Sequence, residues 1–306
     1  MSIDPDIANV LKALASMPPM ESMGVAELRA SMVYPPPERR TPVGEVQDLL
    51  IDLGLHALPA RLYRPPRRRS DGLAVFFHGG GFVIGSLETH DHVCRDLCAG
   101  SGVSVLSVDY RLAPEHRFPA AVDDGLAAVR WAAANGERLR ADASRLAVVG
   151  DSAGATLAAV TALRIRDEGG PALRAQVLVY PVTDYHTPPT RSYLDNAQGY
   201  SLTRPAMIRF WRDYLAGEEQ AAHPHASVLR APSLRGLPPA LVLTAEFDPL
   251  RDEGEAYAHR LLDDGVPVTL WREPGLIHGF FRMAMVSARA RQVLERTAAW
   301  LGQALA

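Results

Sequence analysis

A serine held between two glycines, Gly150-Asp151-Ser152-Ala153-Gly154, closes the apolar run 146–149 and opens the alanine-rich stretch 153–166. Read as strand, sharp turn and helix, this stretch would lift the Ser152 hydroxyl above a sheet as a nucleophile. The same letters also suit a plain tight turn, because glycine accepts backbone angles that other residues avoid. Company decides between the two. A serine nucleophile needs a base, an acid to orient the base, and N–H donors for the oxyanion it creates.

Each partner can be sought separately. In His78-Gly79-Gly80-Gly81, inside "FFHGGGFVIG", three successive amides carry no side chain. The Gly80 and Gly81 N–H groups can approach a substrate oxygen there, with the Ala153 N–H, at the start of the helix after the serine, as a third donor. A merely flexible glycine turn is the plainer reading. Asp248, in "LVLTAEFDPLRDE", falls just past a buried run, where the carboxyl ends of parallel strands collect catalytic groups. Pro249 biases it towards a loop. Asp248 also suits the N-cap of the helix that follows, and Glu246 and Asp252 are rival acids. His278, in "EPGLIHGFF", follows the last buried run and can reach the serine as base, unless it is a core histidine among apolar neighbours. The chain order Ser152, Asp248, His278 is the one that accompanies a nucleophile elbow. It predicts acyl transfer: His278 takes the Ser152 proton, Ser152 attacks a carbonyl, and Asp248 fixes the imidazole tautomer. Activity should then rise as pH climbs through roughly 6–7.

The elements that must position these residues begin near residue 70. Strand-like runs at 73–77, 103–109, 146–149, 175–180, 240–245 and 268–271 alternate with helix-like segments at 88–99, 120–135, 153–166, 251–264 and 287–304. The runs are nearly continuous in apolar residues, the mark of strands buried on both faces. Alternating strand and helix predict an α/β protein, with a mostly parallel central sheet flanked by helices on both faces. Two segments break the rhythm. Residues 1–45 hold one amphipathic helix, with Ile7, Val10, Leu11 and Leu14 on a face, and then Met17, Met20, Met23 and Met32, an adaptable apolar set. Residues 184–226 are polar, carry the aromatic helix "PAMIRFWRDYL", and interrupt the sheet where lids occur.

The bulk numbers set limits. A chain of 306 residues can bury a large core, as one domain with an insertion or as two. With 47% hydrophobic and 22% charged residues the composition is that of an ordinary globular protein. A net charge of -3 gives no footprint for nucleic acid. No apolar run reaches the length of a transmembrane helix. The start "MSIDPDIANV" lacks a basic segment followed by an apolar one, so no secretory signal is expected. The "RPPRRR" run at 64–69 reads as a solvated loop. Cys94 and Cys98, the only cysteines, read as buried thiols one helical turn apart beside exposed His90 and His92, rather than as metal ligands with them. They offer no disulfide framework, which suits a reducing cytoplasm. No metal or organic cofactor is expected.

The stretches "HGGGFVIGS", "DYRLAPEHRFPAAVDD", "GDSAGATLA", "LPPALVLTAEFDPLRDEGEAYAHRL" and "GLIHGF" resemble those of the hormone-sensitive-lipase-like esterases, the microbial family IV carboxylesterases. The likeness runs from about residue 70 to the C-terminus. It implies an α/β-hydrolase fold, with a catalytic domain at 46–183 and 227–306 under a helical cap made from 1–45 and 184–226. It also implies Ser152, Asp248 and His278 as a triad and Gly80, Gly81 and Ala153 as oxyanion donors. Ala155 departs from the pattern, since relatives commonly carry glycine there; the change touches helix packing behind the serine. The activity implied is hydrolysis of short- to medium-chain acyl esters. An amidase, lactonase or transacylase on the same machinery is the alternative, and a non-catalytic ligand-binding α/β-hydrolase a more distant one. Met17, Met20, Phe210, Trp211 and Tyr214 are candidates for the substrate pocket. The expected partners are a small ester and water, and pairing of two copies through an exposed sheet edge is compatible with the sequence.

Overall fold

The computed structural model describes residues 2–32 and 36–306. The chain begins with α1 (Pro5–Leu14) and the short α2 (Val25–Ala30), then enters a sheet through β1 (Glu45–Asp52) and β2 (Ala57–Arg64). Next come β3 (Leu73–Phe77), α3 (Leu87–Ser101), β4 (Ser104–Val108), α4 (Ala120–Ala134) and the single turn α5 (Gly136–Leu139). They are followed by β5 (Leu146–Asp151), α6 (Ala153–Glu168) and β6 (Leu173–Val179). The chain then leaves the sheet for α7 (Arg191–Asp195) and α8 (Arg204–Tyr214). It returns as β7 (Ala240–Phe247), α9 (Arg251–Asp263), β8 (Val268–Ile277) and α10 (Ala288–Ala304).

Side by side the strands run β1-β2-β4-β3-β5-β6-β7-β8. From β4 to β8 every pairing is parallel, and β2 runs antiparallel to both of its neighbours. The fold is therefore the α/β architecture that the alternating runs predict. Alternation within each strand explains why the runs are unbroken. Leu73, Val75 and Phe77 of β3 enter one buried cluster, and Ala74 and Phe76 enter the other. β5 divides the same way, Leu146 and Val148 against Ala147 and Val149. Residues of α4, α6 and α9 fill the first cluster; those of α3 and α10 fill the second, where Ile7 of α1 joins them. Each fully buried Phe, Leu or Val adds about 1.5–3 kcal/mol, so a strand with two buried faces gains at every residue. Among the described residues no helix is long and apolar enough to cross a membrane.

Two features depart from the sequence reading. The strands begin before the first expected run, with a β1–β2 hairpin that carries Pro59 in its interior, where proline is unusual. Pro59 pairs with Leu50 on one side, while the β2–β4 ladder starts only at Ala60, so no bond to β4 needs the missing N–H. The turn left a usable signal: Gly54, at φ +82, donates its N–H to Asp52 Oδ1 at 2.9 Å. The second departure is on α3. Cys94 and Cys98 are buried there, but so are His90 and His92, which the sequence reading put in solvent. The first turns of α3 pack beneath the loops at the sheet's end instead of facing water.

Candidate active site

β5 ends at Asp151 and α6 begins at Ala153, so Ser152 alone turns the chain from strand to helix. Its backbone sits at φ 55, ψ -122, a conformation that costs a non-glycine residue about 1–3 kcal/mol. The surroundings hold it there: the Ser152 N–H donates to Val179 O at 2.8 Å, and its carbonyl accepts from Ala155 N–H at 3.0 Å. The flanking glycines serve close approach. A Cβ on Gly154 would lie 2.0 Å from Phe77 O, and one on Gly150 would lie 2.2 Å from Gly154 O. The serine itself carries the backbone strain, and the glycines let the turn press against β3.

Strand register brings the other two residues together. Phe247 of β7 pairs with Ile277 of β8, so the next residues, Asp248 and His278, emerge side by side. His278 Nδ1 lies 2.8 Å from Asp248 Oδ2, and His278 Nε2 lies 2.9 Å from Ser152 Oγ. With its proton on Nδ1, donated to the carboxylate, the imidazole presents Nε2 as acceptor to the serine O–H. Asp248 is fully buried. Its second oxygen, Oδ1, accepts the Leu250 N–H at 2.8 Å at the entrance to α9. The contact with Leu250 closes a turn just ahead of α9, whose N-cap is Leu250 and not Asp248, so the capping reading of Asp248 does not hold. The rival acids are engaged elsewhere: Glu246 Oε2 accepts the Gly275 N–H at 2.8 Å, and Asp252 Oδ2 accepts the Ser192 N–H at 2.7 Å.

The glycine loop follows β3, whose last residue, Phe77, pairs with Gly150. Gly80 and Gly81 have φ of +130 and +59, and the Ala153 N–H, first in α6, has no acceptor within its helix. The loop is tied to the serine's neighbour, since the Gly79 N–H donates to Asp151 Oδ1 at 2.9 Å. Asp151 is buried and also lies 3.3 Å from His90 Nε2 and from Tyr180 Oη. Burial raises the cost of its charge, and the His90 imidazole and the Gly79 N–H outweigh that, holding the carboxyl below its usual range. The Tyr180 ring packs 4.6 Å from the ring of His278. Asp151, His90 and Tyr180 were not singled out as site residues in the sequence reading; only the place of Asp151 beside the serine hinted at a role.

Of the pocket candidates, Phe210, Trp211 and Tyr214 are buried on α8. Tyr214 stacks on Phe82 of the glycine loop at 3.8 Å. Met20 is half-buried and packs against the cluster that contains these rings. Arg209 of α8, itself buried, donates to the carbonyls of Met20 and Met23. Met17 is 41% exposed in the turn after α1, outside both buried clusters. Among the described residues no group of three or more His, Cys, Asp or Glu side chains is placed to hold a metal ion.

A family model described as alpha/beta hydrolase fold matches residues 74–282. The carboxylesterase NlhH of Mycobacterium tuberculosis is 41% identical over 98% of this chain and 97% of its own. The ethyl acetate hydrolase of Pseudomonas putida is 37% identical, with 96% of each covered. Among solved structures, a hyperthermophilic esterase from the archaeon Pyrobaculum calidifontis superimposes with a TM-score of 0.93 at 41% identity, covering 100% of both chains. Matched in sequence along nearly its whole length and in the placing of its strands, the chain belongs to the α/β-hydrolase fold family, in its hormone-sensitive-lipase-like branch.

Proposed function

We propose that the protein is a serine carboxylesterase that hydrolyses short- to medium-chain acyl esters through an acyl-enzyme on Ser152. The observation that carries this reading is the unbroken line from Asp248 through His278 to Ser152, with contacts of 2.8 and 2.9 Å. His278 Nε2 takes the Ser152 proton as Oγ attacks the ester carbonyl. The carbonyl oxygen, now an anion, lies against the N–H groups of Gly80, Gly81 and Ala153, with the positive end of α6 behind it. His278 returns the proton to the alcohol oxygen, the C–O bond breaks, and the acyl group stays on Ser152. A water then loses its proton to His278, attacks the acyl carbon and frees the acid, and the proton goes back to Ser152. Asp248 holds the imidazole in the tautomer that both halves require.

The substrate class is supported by the names of the relatives, carboxylesterase and ethyl acetate hydrolase, and by the aromatic residues on α8. We assign residues 1–45 and 184–226 to a cap over the catalytic domain, with Phe210, Trp211, Tyr214 and Met20 as its contribution to the pocket. The partners proposed are the ester and water. The edge strands β1 and β8 are the surfaces through which two copies would pair, and the buried free thiols of Cys94 and Cys98 suit a reducing cytoplasm. Treatment with a fluorophosphonate tests the nucleophile. One adduct should form, on the peptide carrying Ser152, and none on Ser152→Ala; an adduct that persists in Ser152→Ala would put the reactive group elsewhere.

A further inference from the structure

The acid of the proposed triad does not stand on the sheet alone. Asp248 lies beyond the last β7–β8 pair, on a strand whose register slips between Ala245 and Phe247. Its loop is held from outside by one turn of the insertion between β6 and β7. Asn196 Nδ2 donates to the carbonyl of Asp248 itself at 3.2 Å. Ser192 Oγ donates to Pro249 O at 2.6 Å and accepts the Asp252 N–H at 3.2 Å, while the Ser192 N–H donates to Asp252 Oδ2 at 2.7 Å. Ser192 and Asn196 are both buried, so these bonds are not shared with water. They clamp the loop at its first, second and fifth residues.

We propose that Ser192 and Asn196 are positioning residues for the acid, holding the 248–252 loop where Asp248 Oδ2 meets His278 Nδ1. The inference rests on the reading of Ser152, His278 and Asp248 as nucleophile, base and acid. It gives the insertion a second role besides roofing the site: part of the catalytic geometry is built from it.

The test compares wild type, Ser192→Ala/Asn196→Ala and Asn196→Ala alone, each also made in Asp248→Asn, by kcat, KM and thermal melting on one p-nitrophenyl ester. A displacement of the acid by an ångström or so should cost the double variant up to about 100-fold in kcat, with KM within about threefold. In Asp248→Asn the same changes should cost little more, since the group they position is already disabled. A loss of equal size in both backgrounds, or a loss of kcat that only follows the fall in melting temperature, would overturn the proposal. Asn196→Ala removes one bond only and carries the same comparison if the double variant does not fold. An Asp248→Asn enzyme of wild-type activity would instead remove the triad reading on which the proposal stands.

Discussion

The ring of Phe210 fills the space beside Gly81 that a side chain would need: a Cβ there would lie 2.4 Å from Phe210 Cγ. The insertion and the glycine loop therefore touch at one of the proposed oxyanion donors. Gly81, at φ +59, has neither the room nor the backbone angle for a side chain. Gly81→Ala should lower kcat by about 10²–10³-fold, the loss that follows removal of one oxyanion donor. Gly81→Ala/Phe210→Ala should recover part of it by relieving the clash. Steady-state kinetics of the three variants decide the matter; no recovery would leave the backbone angle as the whole cause.

Asp248 orients and does not react, so its removal should cost less than that of the groups that do. Asp248→Asn should lower kcat by about 10⁴-fold, through the wrong imidazole tautomer. Ser152→Ala and His278→Ala should each cost on the order of 10⁶-fold. Near-full activity in Asp248→Asn would move the acid role to Glu246 or Asp252, and both of those carboxylates already accept backbone N–H groups.

Glu253, in the first turn of α9, is fully buried, and its Oε1 accepts the N–H groups of Thr183 at 2.8 Å and Asp184 at 3.3 Å. Burial pushes its carboxyl well above the ordinary value of 4.5, and the two N–H bonds offset this only in part. The folded state thus keeps a proton that the unfolded state releases above pH about 4.5. Stability from this group is full below that pH and is lost as pH rises towards the folded value. Glu253→Gln keeps an acceptor for both N–H groups and does not titrate. Its melting temperature relative to wild type should climb between pH 5 and pH 8; a constant difference would mean that Glu253 is charged in the folded protein.

Sequence and structure meet best where a residue type, a motif and a strand end coincide. Ser152, Asp248 and His278 each close a buried run, and parallel strands carry such ends to one side of the sheet, so their convergence was legible from order alone. Gly80 and Gly81 stand out in the sequence because a run of bare amides has few structural uses. Ser192, Asn196 and Glu253 do not, since their partners are backbone groups of segments distant in the chain. A serine or asparagine in a polar stretch gives no sign of what it will meet. His90 and His92 were misread for a related reason: polar letters at the start of α3 suggested water, whereas the helix packs a buried polar cluster behind the glycine loop. Among the strands, β2 carries Pro59, a poor sign of a strand interior, and the β2–β4 ladder starts only after it, at Ala60, so β4 does not need the N–H that proline lacks.

The most direct measurement of the central claim is hydrolysis of p-nitrophenyl esters from acetate to palmitate by wild type and Ser152→Ala. Wild type should turn over the short and medium chains fastest, with the rate falling towards palmitate, and Ser152→Ala should turn over each of them on the order of 10⁶-fold more slowly. Turnover by Ser152→Ala at the wild-type rate, or no turnover of any ester by wild type, would contradict an acyl-enzyme on Ser152.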